Sequence, residues 1–278
     1  MHFNFFSIIK KLITRIKLNS FVPLNILMSG FLIINFLLLF PSIYKKYQIG
    51  QFESLRRIFM PNYELEYKKL TQIIEFQSRK IERVLDIGAN IGQSSYTFRK
   101  IFPNAEIHAF EPNPLIFEVL RKNLKKSKIQ VYNFGLGQVN STSKIYIPEY
   151  KNVLFTGLGS CSQEQAENYL KRNIMNFNSL KFSIFIQEII IKTGDSLIFK
   201  PDFIKIDVEG FEVGVLRGLI DTIKKHRPIV LVECSDSYYE VNKLFNIYSY
   251  HNLEYSKAEK SWIPSTGKNL MQIFVPSN

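Results

Sequence analysis

The residues of this 278-residue chain best suited to chemistry are carboxylates that end short apolar runs. Val84-Leu85-Asp86-Ile87 runs into Gly88-Ala89-Asn90-Ile91-Gly92, and Glu106–Phe110 runs into Glu111, 19 residues beyond Gly92. Phe203-Ile204-Lys205-Ile206 runs into Asp207, with Glu209 and Glu212 close behind, and Ile229–Val232 runs into Glu233. A buried strand that turns through two glycines into a helix lets backbone approach a nucleotide closely. A carboxylate at the tip of the next strand can accept hydrogen bonds from both hydroxyls of a ribose. The expected ligand is a nucleoside-containing cofactor.

The glycine spacing narrows the choice. A dinucleotide loop reads G-x-G-x-x-G, whereas here Gly88 and Gly92 are separated by three residues, and Ser94 or Ser95 stands where a third glycine would fall. Asp86 is ill placed beside a pyrophosphate and suits a ligand with a positive end, such as the sulfonium and ammonium of S-adenosylmethionine. A nicotinamide-dependent oxidoreductase is the first alternative, and a non-catalytic membrane protein keeping a donor-binding fold is the second.

The elements that must position these groups follow from periodicity. Strands at 84–88, 105–110, 129–134, 182–191, 203–207, 229–233, 253–256 and 270–275 alternate with helices at 93–102, 114–126, 209–225 and 236–247. Strands apolar along their length imply a largely parallel sheet covered on both faces. The acids at the strand ends then share one rim, where open α/β sheets bind ligands. Asp207 and Glu209 are the candidate general bases, with His226 and His108 weaker. Glu212 reads better as a group that favours a helix N-terminus.

As a set, Leu85–Gly92, Ala109-Phe110-Glu111-Pro112-Asn113-Pro114, Gly135-Leu136-Gly137, Asp195-Ser196-Leu197, Lys205–Gly210, Leu216-Arg217-Gly218 and Arg227–Glu233 resemble the FkbM family of S-adenosylmethionine-dependent methyltransferases over about residues 80 to 235. The resemblance implies a class I methyltransferase (Rossmann-like) fold, with a seven-stranded mostly parallel sheet, helices on both faces and residues 79–278 as the catalytic domain. It implies an S-adenosylmethionine-dependent O-methyltransferase acting on a hydroxyl of a small molecule, sugar, glycan or glycolipid. Asp86, Gly88, Ala89, Asn90 and Gly92 would meet the methionine end and Glu111 the ribose. Phe110 or Pro112 would flank the adenine, with Phe134 or Gly135 on its other side. Phe155–Ser160 and a helix at 162–175 would form an acceptor lid. Gly135, Gln138 and Gly194 depart from the family pattern.

The front of the chain carries a different signal. No charged residue occurs from Leu18 to Tyr44, and a 23-residue helix over Phe21–Ile43 would run about 34 Å, against a hydrocarbon core of about 30 Å. The expected organisation is a basic segment 1–20, a transmembrane helix 21–44 and a helical connector 45–78. Asn25, Ser29, Gly30 and Asn35 leave a hairpin or interface helix as the alternative. Basic residues balance on the two sides, so orientation rests on the cytosolic cofactor, giving a single-pass membrane protein with a cytosolic catalytic domain and the lipid bilayer as partner. The formal charge of +12 is concentrated in residues 1–60, which argues against a nucleic-acid partner. Neither the two cysteines nor any His/Asp cluster has metal-ligand spacing, so no metal is expected.

Overall fold

The computed structural model describes residues 65–174, 176–234 and 237–277. Twelve strands are present among them: β1 (Arg83–Ile87), β2 (Glu106–Phe110), β3 (Gln130–Tyr132), β4 (Gly135–Gly137), β5 (Ser141–Tyr150), β6 (Val153–Leu154), β7 (Phe182–Thr193), β8 (Phe203–Ile206), β9 (Ile229–Glu233), β10 (Tyr250–Ser256), β11 (Ser261–Pro264) and β12 (Met271–Pro276). The α-helices are α1 (Leu65–Lys68), α2 (Ile74–Ser78), α3 (Gln93–Ile101), α4 (Pro114–Leu124), α5 (Gln163–Asn173), α6 (Glu212–Arg217), α7 (Ile220–His226) and α8 (Tyr238–Ile247).

Eight strands form the main sheet in the order β11-β10-β12-β9-β8-β1-β2-β3. The five from β9 to β3 are parallel, and β12, β10 and β11 are antiparallel, which makes the sheet mixed. The parallel strands are buried on both faces, as their unbroken apolar runs require. One face packs Val84, Phe203 and Leu231 against Phe98 of α3, Leu120 of α4, and Phe76 and Leu70. The other packs Leu85, Ile204 and Val232 against Leu216, Ile223 and Phe245 of α6, α7 and α8. Strand order reverses between β1 and β8, the switch point where such sheets bind ligands.

Several expectations need correction. The sheet has eight strands rather than seven, because β11 pairs with β10 and covers its edge. The strand expected at 182–191 does not join it. It is β7 of a second, four-stranded sheet in the order β4-β7-β5-β6, paired with β5 along ten residues. The helix expected over 209–225 is broken into α6 and α7. A methyl at Gly218 would lie 1.8 Å from the Gly137 carbonyl oxygen, so backbone from β4 presses where the two helices meet.

The membrane assignment is corrected as well. Among the described residues no helix is long and apolar enough to cross a membrane. The longest, α4 and α5, have 11 residues each, about 17 Å by the helical rise, roughly half a hydrocarbon core. This points against a single-pass membrane protein with a cytosolic catalytic domain. Residues 21–44, on which that expectation rested, lie outside the described residues. So does the connector up to residue 64; its described part is α1, a single 3-10 turn and α2 rather than one helix.

Phe203 is the hub of the first face. Its ring lies 5.2 Å from those of Phe98 and Phe76, both edge-on, and 6.0 Å from that of Phe102. Phe203→Ala is expected to lower unfolding free energy by about 3–5 kcal/mol in urea titration. A loss under about 1 kcal/mol would contradict this packing.

Candidate functional site

The loops after β1 and β8 meet at the switch point. Gly88 has φ +74, and a methyl there would sit 1.8 Å from the Asp207 carbonyl oxygen, so only glycine lets the two loops approach. Gly92, φ +99, seats α3 on α4, since its missing methyl would strike Leu120 and Leu124 at 3.0 Å. Between them, every backbone amide of the loop is committed. Gly88 and Ala89 donate to the Phe110 carbonyl, Asn90 donates to Glu111, Ile91 donates to the Asn90 side chain, and Gly92 donates to Ala89. No bare amide nest is left in this loop for a phosphate.

Beneath the loop lies Lys205. β1 and β8 pair Asp86 with Lys205 in register. The Lys205 ammonium, 1% exposed, donates to the Gly88 carbonyl at 2.9 Å and stands 3.2 Å from Asp207 and 3.5 Å from Asp86. Burial works against its charge, but Asp207 and Asp86 outweigh that and hold it protonated above the ordinary lysine range. Asp86 is fully buried and accepts the hydroxyls of Ser94 and Ser95 in the first turn of α3. Asp86, expected to meet the ligand, thus lies beneath the loop, and its charge already occupies the anion-favouring end of the helix. Ala89, 1% exposed, likewise faces the core and offers only backbone.

The other acids differ sharply in environment. Glu111, 6% exposed, accepts the Asn90 amide at 3.0 Å on one oxygen and the Asn113 amide at 2.9 Å on the other. Burial still pushes its carboxyl up to about 7, against those two amides. Burial opposes the charge on Asp207 too, but Lys205 and a hydrogen bond from Glu233 keep its carboxyl below the ordinary range. Glu233 is pushed up to about 8 by burial and by the Asp207 charge beside it. Asp207 and Glu233 thus share one proton near neutral pH. Glu209 sits in the left-handed region at φ +50, and burial with the charges of Asp207 and Glu212 raises its carboxyl. Glu212, 1% exposed, accepts the Gly210 amide and the Ser237 hydroxyl and so braces its own loop.

Pro112, Phe134 and Gly135, expected to border an adenine, come together. The Phe134 ring lies 5.6 Å from Phe110, and the Lys192 ammonium stands 4.3 Å over it. A methyl at Gly135 would meet Ile191 at 2.9 Å and Pro112 at 3.4 Å, so Ile191 fills the space that a larger residue would need. Gly194 is matched in the same way by Leu219, at 2.3 Å. The expected lid is pinned to the second sheet, with Tyr146 and Ser160 exchanging backbone hydrogen bonds and Phe155 1% exposed. Its helix α5 brings Tyr169 within electrostatic reach of Glu209; burial and that charge both raise the phenol. His108 is a core residue bonded to Tyr132. His226 ends α7 and feels Asp202, Arg83 and Lys200 at the opposite end of the strands, which removes it as a base. Lys205, Ser94 and Asn113 are the residues that sequence reasoning missed.

The FkbM methyltransferase domain model matches residues 86–257. The chain belongs to that family. It is 28% identical over 55% of its length to Methyltransferase 1 of Beauveria bassiana, covering 65% of that protein. It is 26% identical over 50% of its length to the hexuronic acid methyltransferase AglP of Haloferax volcanii, covering 50% of that protein. The chain thus spans less than two thirds of these relatives. The crystal structure of methyltransferase FkbM from Methylobacillus flagellatus covers 70% of this chain and 44% of its own at 18% identity, with a TM-score of 0.45. The cofactor is S-adenosylmethionine. The residues fit it: the rim gathers Asp207, Glu209, Glu111 and Glu233 around one buried lysine, and the glycine loop has its amides spoken for.

Lys205→Met would leave Asp86 and Asp207 without their counter-charge. It is expected to cost about 3–5 kcal/mol in chemical denaturation, more than a surface lysine change such as Lys126→Met. The raised acids also set a pH dependence. Glu111 and Glu233 start from 4.5 in the unfolded chain and rise to about 7 and about 8. Their contribution to stability is complete below 4.5 and is lost as pH climbs through 7 and 8. Asp207 acts oppositely, only on the acid side. Ligand-free protein should therefore melt at progressively lower temperature from pH 6 to pH 9, and Glu233→Gln should flatten the slope. A flat profile in the parent protein would contradict the protonation scheme.

Proposed function

We propose that this protein is an S-adenosylmethionine-dependent O-methyltransferase whose acceptor is a hydroxyl of a sugar, glycan or glycolipid. The observation that carries the reading is the donor loop with all five amides committed beside a rim of carboxylates. That arrangement repels a pyrophosphate and attracts a cation with a ribose attached, which counts against the nicotinamide alternative. A hexuronic acid methyltransferase among the relatives supports a sugar as the acceptor class.

When bound, S-adenosylmethionine supplies an electrophilic methyl carbon on a sulfonium. The chain's own part is alignment, exclusion of water and removal of one proton. Glu111, fixed by two amides, holds the ribose diol with its remaining lone pairs. Pro112, Phe134 and Gly135 bound the adenine. Glu209 is the better base of the two candidates, because its raised carboxyl binds a proton more readily than Asp207, which Lys205 keeps ionised. Asp207 and Glu233 keep negative charge beside the donor's positive end.

Calorimetry should detect S-adenosylhomocysteine binding and no heat from NAD. Glu111→Ala should weaken that binding at least about tenfold in protein that still folds, with a lower melting temperature because the Asn90 and Asn113 amides lose their acceptor. Glu209→Gln should lower kcat by about 10²–10⁴ with donor affinity unchanged. NAD binding, or undiminished kcat in Glu209→Gln, would overturn the respective assignment. Donor binding without label transfer to any hydroxyl acceptor would favour a non-catalytic role.

A further inference from the structure

Outside the donor rim, a cavity of about 570 Å³ opens between the end of β4, α6 and the start of α8. Gly210, the residue after Glu209, is part of its lining. Phe211 forms one wall, and Gln138, Arg217, Ser237 and Glu240 supply polar groups around it. The pose of Phe211 is built rather than incidental. A methyl on Gly137 would come within 3.0 Å of its ring, and one on Gly214 within 2.9 Å. Two glycines, one on a strand and one inside a helix, thus make a seat for this ring. Even so, Phe211 remains 40% exposed.

A seated aromatic ring exposed beside hydrogen-bonding side chains matches the two sides of a sugar. The ring's electron-rich face attracts weakly positive C–H groups, and a pyranose presents a patch of them on one face. The hydroxyls at its edge need donors and acceptors. Arg217 and Glu240 lie 3.9 Å apart and more than half exposed, a loose surface pair with hydrogen-bonding capacity to spare. Gly210, the chain neighbour of Glu209, has φ +96 and open space where a methyl would be.

We propose that this cavity is the acceptor subsite for a saccharide, with a pyranose ring stacked on Phe211 and its hydroxyls held by Arg217, Glu240 and Gln138. The subsite directs one hydroxyl past Gly210 toward Glu209. This assignment rests on the reading of the rim as a methyl-transfer site, so its test is run without donor.

Saturation-transfer NMR on the full chain would use methyl β-D-glucopyranoside, methyl α-D-mannopyranoside and methyl β-D-glucuronide as probes, with glycerol as control. At least one glycoside should give a signal that glycerol lacks. Phe211→Ala should reduce that signal at least fivefold, whereas Phe211→Trp should retain it. Gly214→Ala, which favours the helix but crowds the ring, should also reduce it. Melting curves and S-adenosylhomocysteine affinity of each variant report on fold and donor site separately. No signal from any probe with the parent protein, or an undiminished signal in folded Phe211→Ala, overturns the subsite. Failure of S-adenosylhomocysteine to bind the parent protein would instead overturn the proposed function.

Discussion

The site depends on a single buried ammonium. Lys205 stands between Asp86 on β1 and Asp207 at the end of β8, and it also ties down the Gly88 carbonyl. Removing a lysine and an aspartate from water is costly unless they face each other with little freedom. Here register supplies the facing: Asp86 and Lys205 are partners across parallel strands, and Asp207 follows two residues after Lys205, just past the end of β8. The two loops that meet at the switch point are thereby held by charge from below and by the Gly88–Asp207 approach from above.

That arrangement sets the electrostatics of everything over it. Asp86 is paired with Lys205 and faces inward, so the negative character of the rim comes from Asp207, Glu209, Glu111 and Glu233. Crowded carboxylates cannot all ionise cheaply, and burial adds to the difficulty. The outcome is a graded set: Asp207 ionised, Glu233 protonated and donating to it, Glu111 between them, and Glu209 raised by burial and by the charges of Asp207 and Glu212. A cation entering this rim meets charge that the ligand-free protein holds only with strain.

Much of the donor half was legible in the sequence. An apolar strand, an acid and a pair of glycines occupy consecutive residues, and local pattern suffices to read them. Lys205 was overlooked because it reads as one residue of a strand, although a charge amid an otherwise apolar run two residues before an aspartate is a usable signal. The direction in which Asp86 points was not legible, since strand alternation alone does not say whether an end residue faces ligand or core. The second sheet was missed for another reason. Its defining contacts pair Ser141 with Ile191 and Tyr150 with Phe182, across more than thirty residues of chain. The departure at Gly135 made sense only once Ile191 was seen in the space a methyl would take.

β4 and the last residues of β7 lie side by side, Gly135 against Ile191 and Gly137 against Thr193. The chain between them therefore leaves the nucleotide-binding layer and returns to almost the same place. Closing such an excursion costs little more when it is longer. Changes of length within 138–190 can therefore be taken up without moving the paired ends of β4 and β7. The architecture thus separates the layer around the switch point from an excursion whose length the main sheet does not fix.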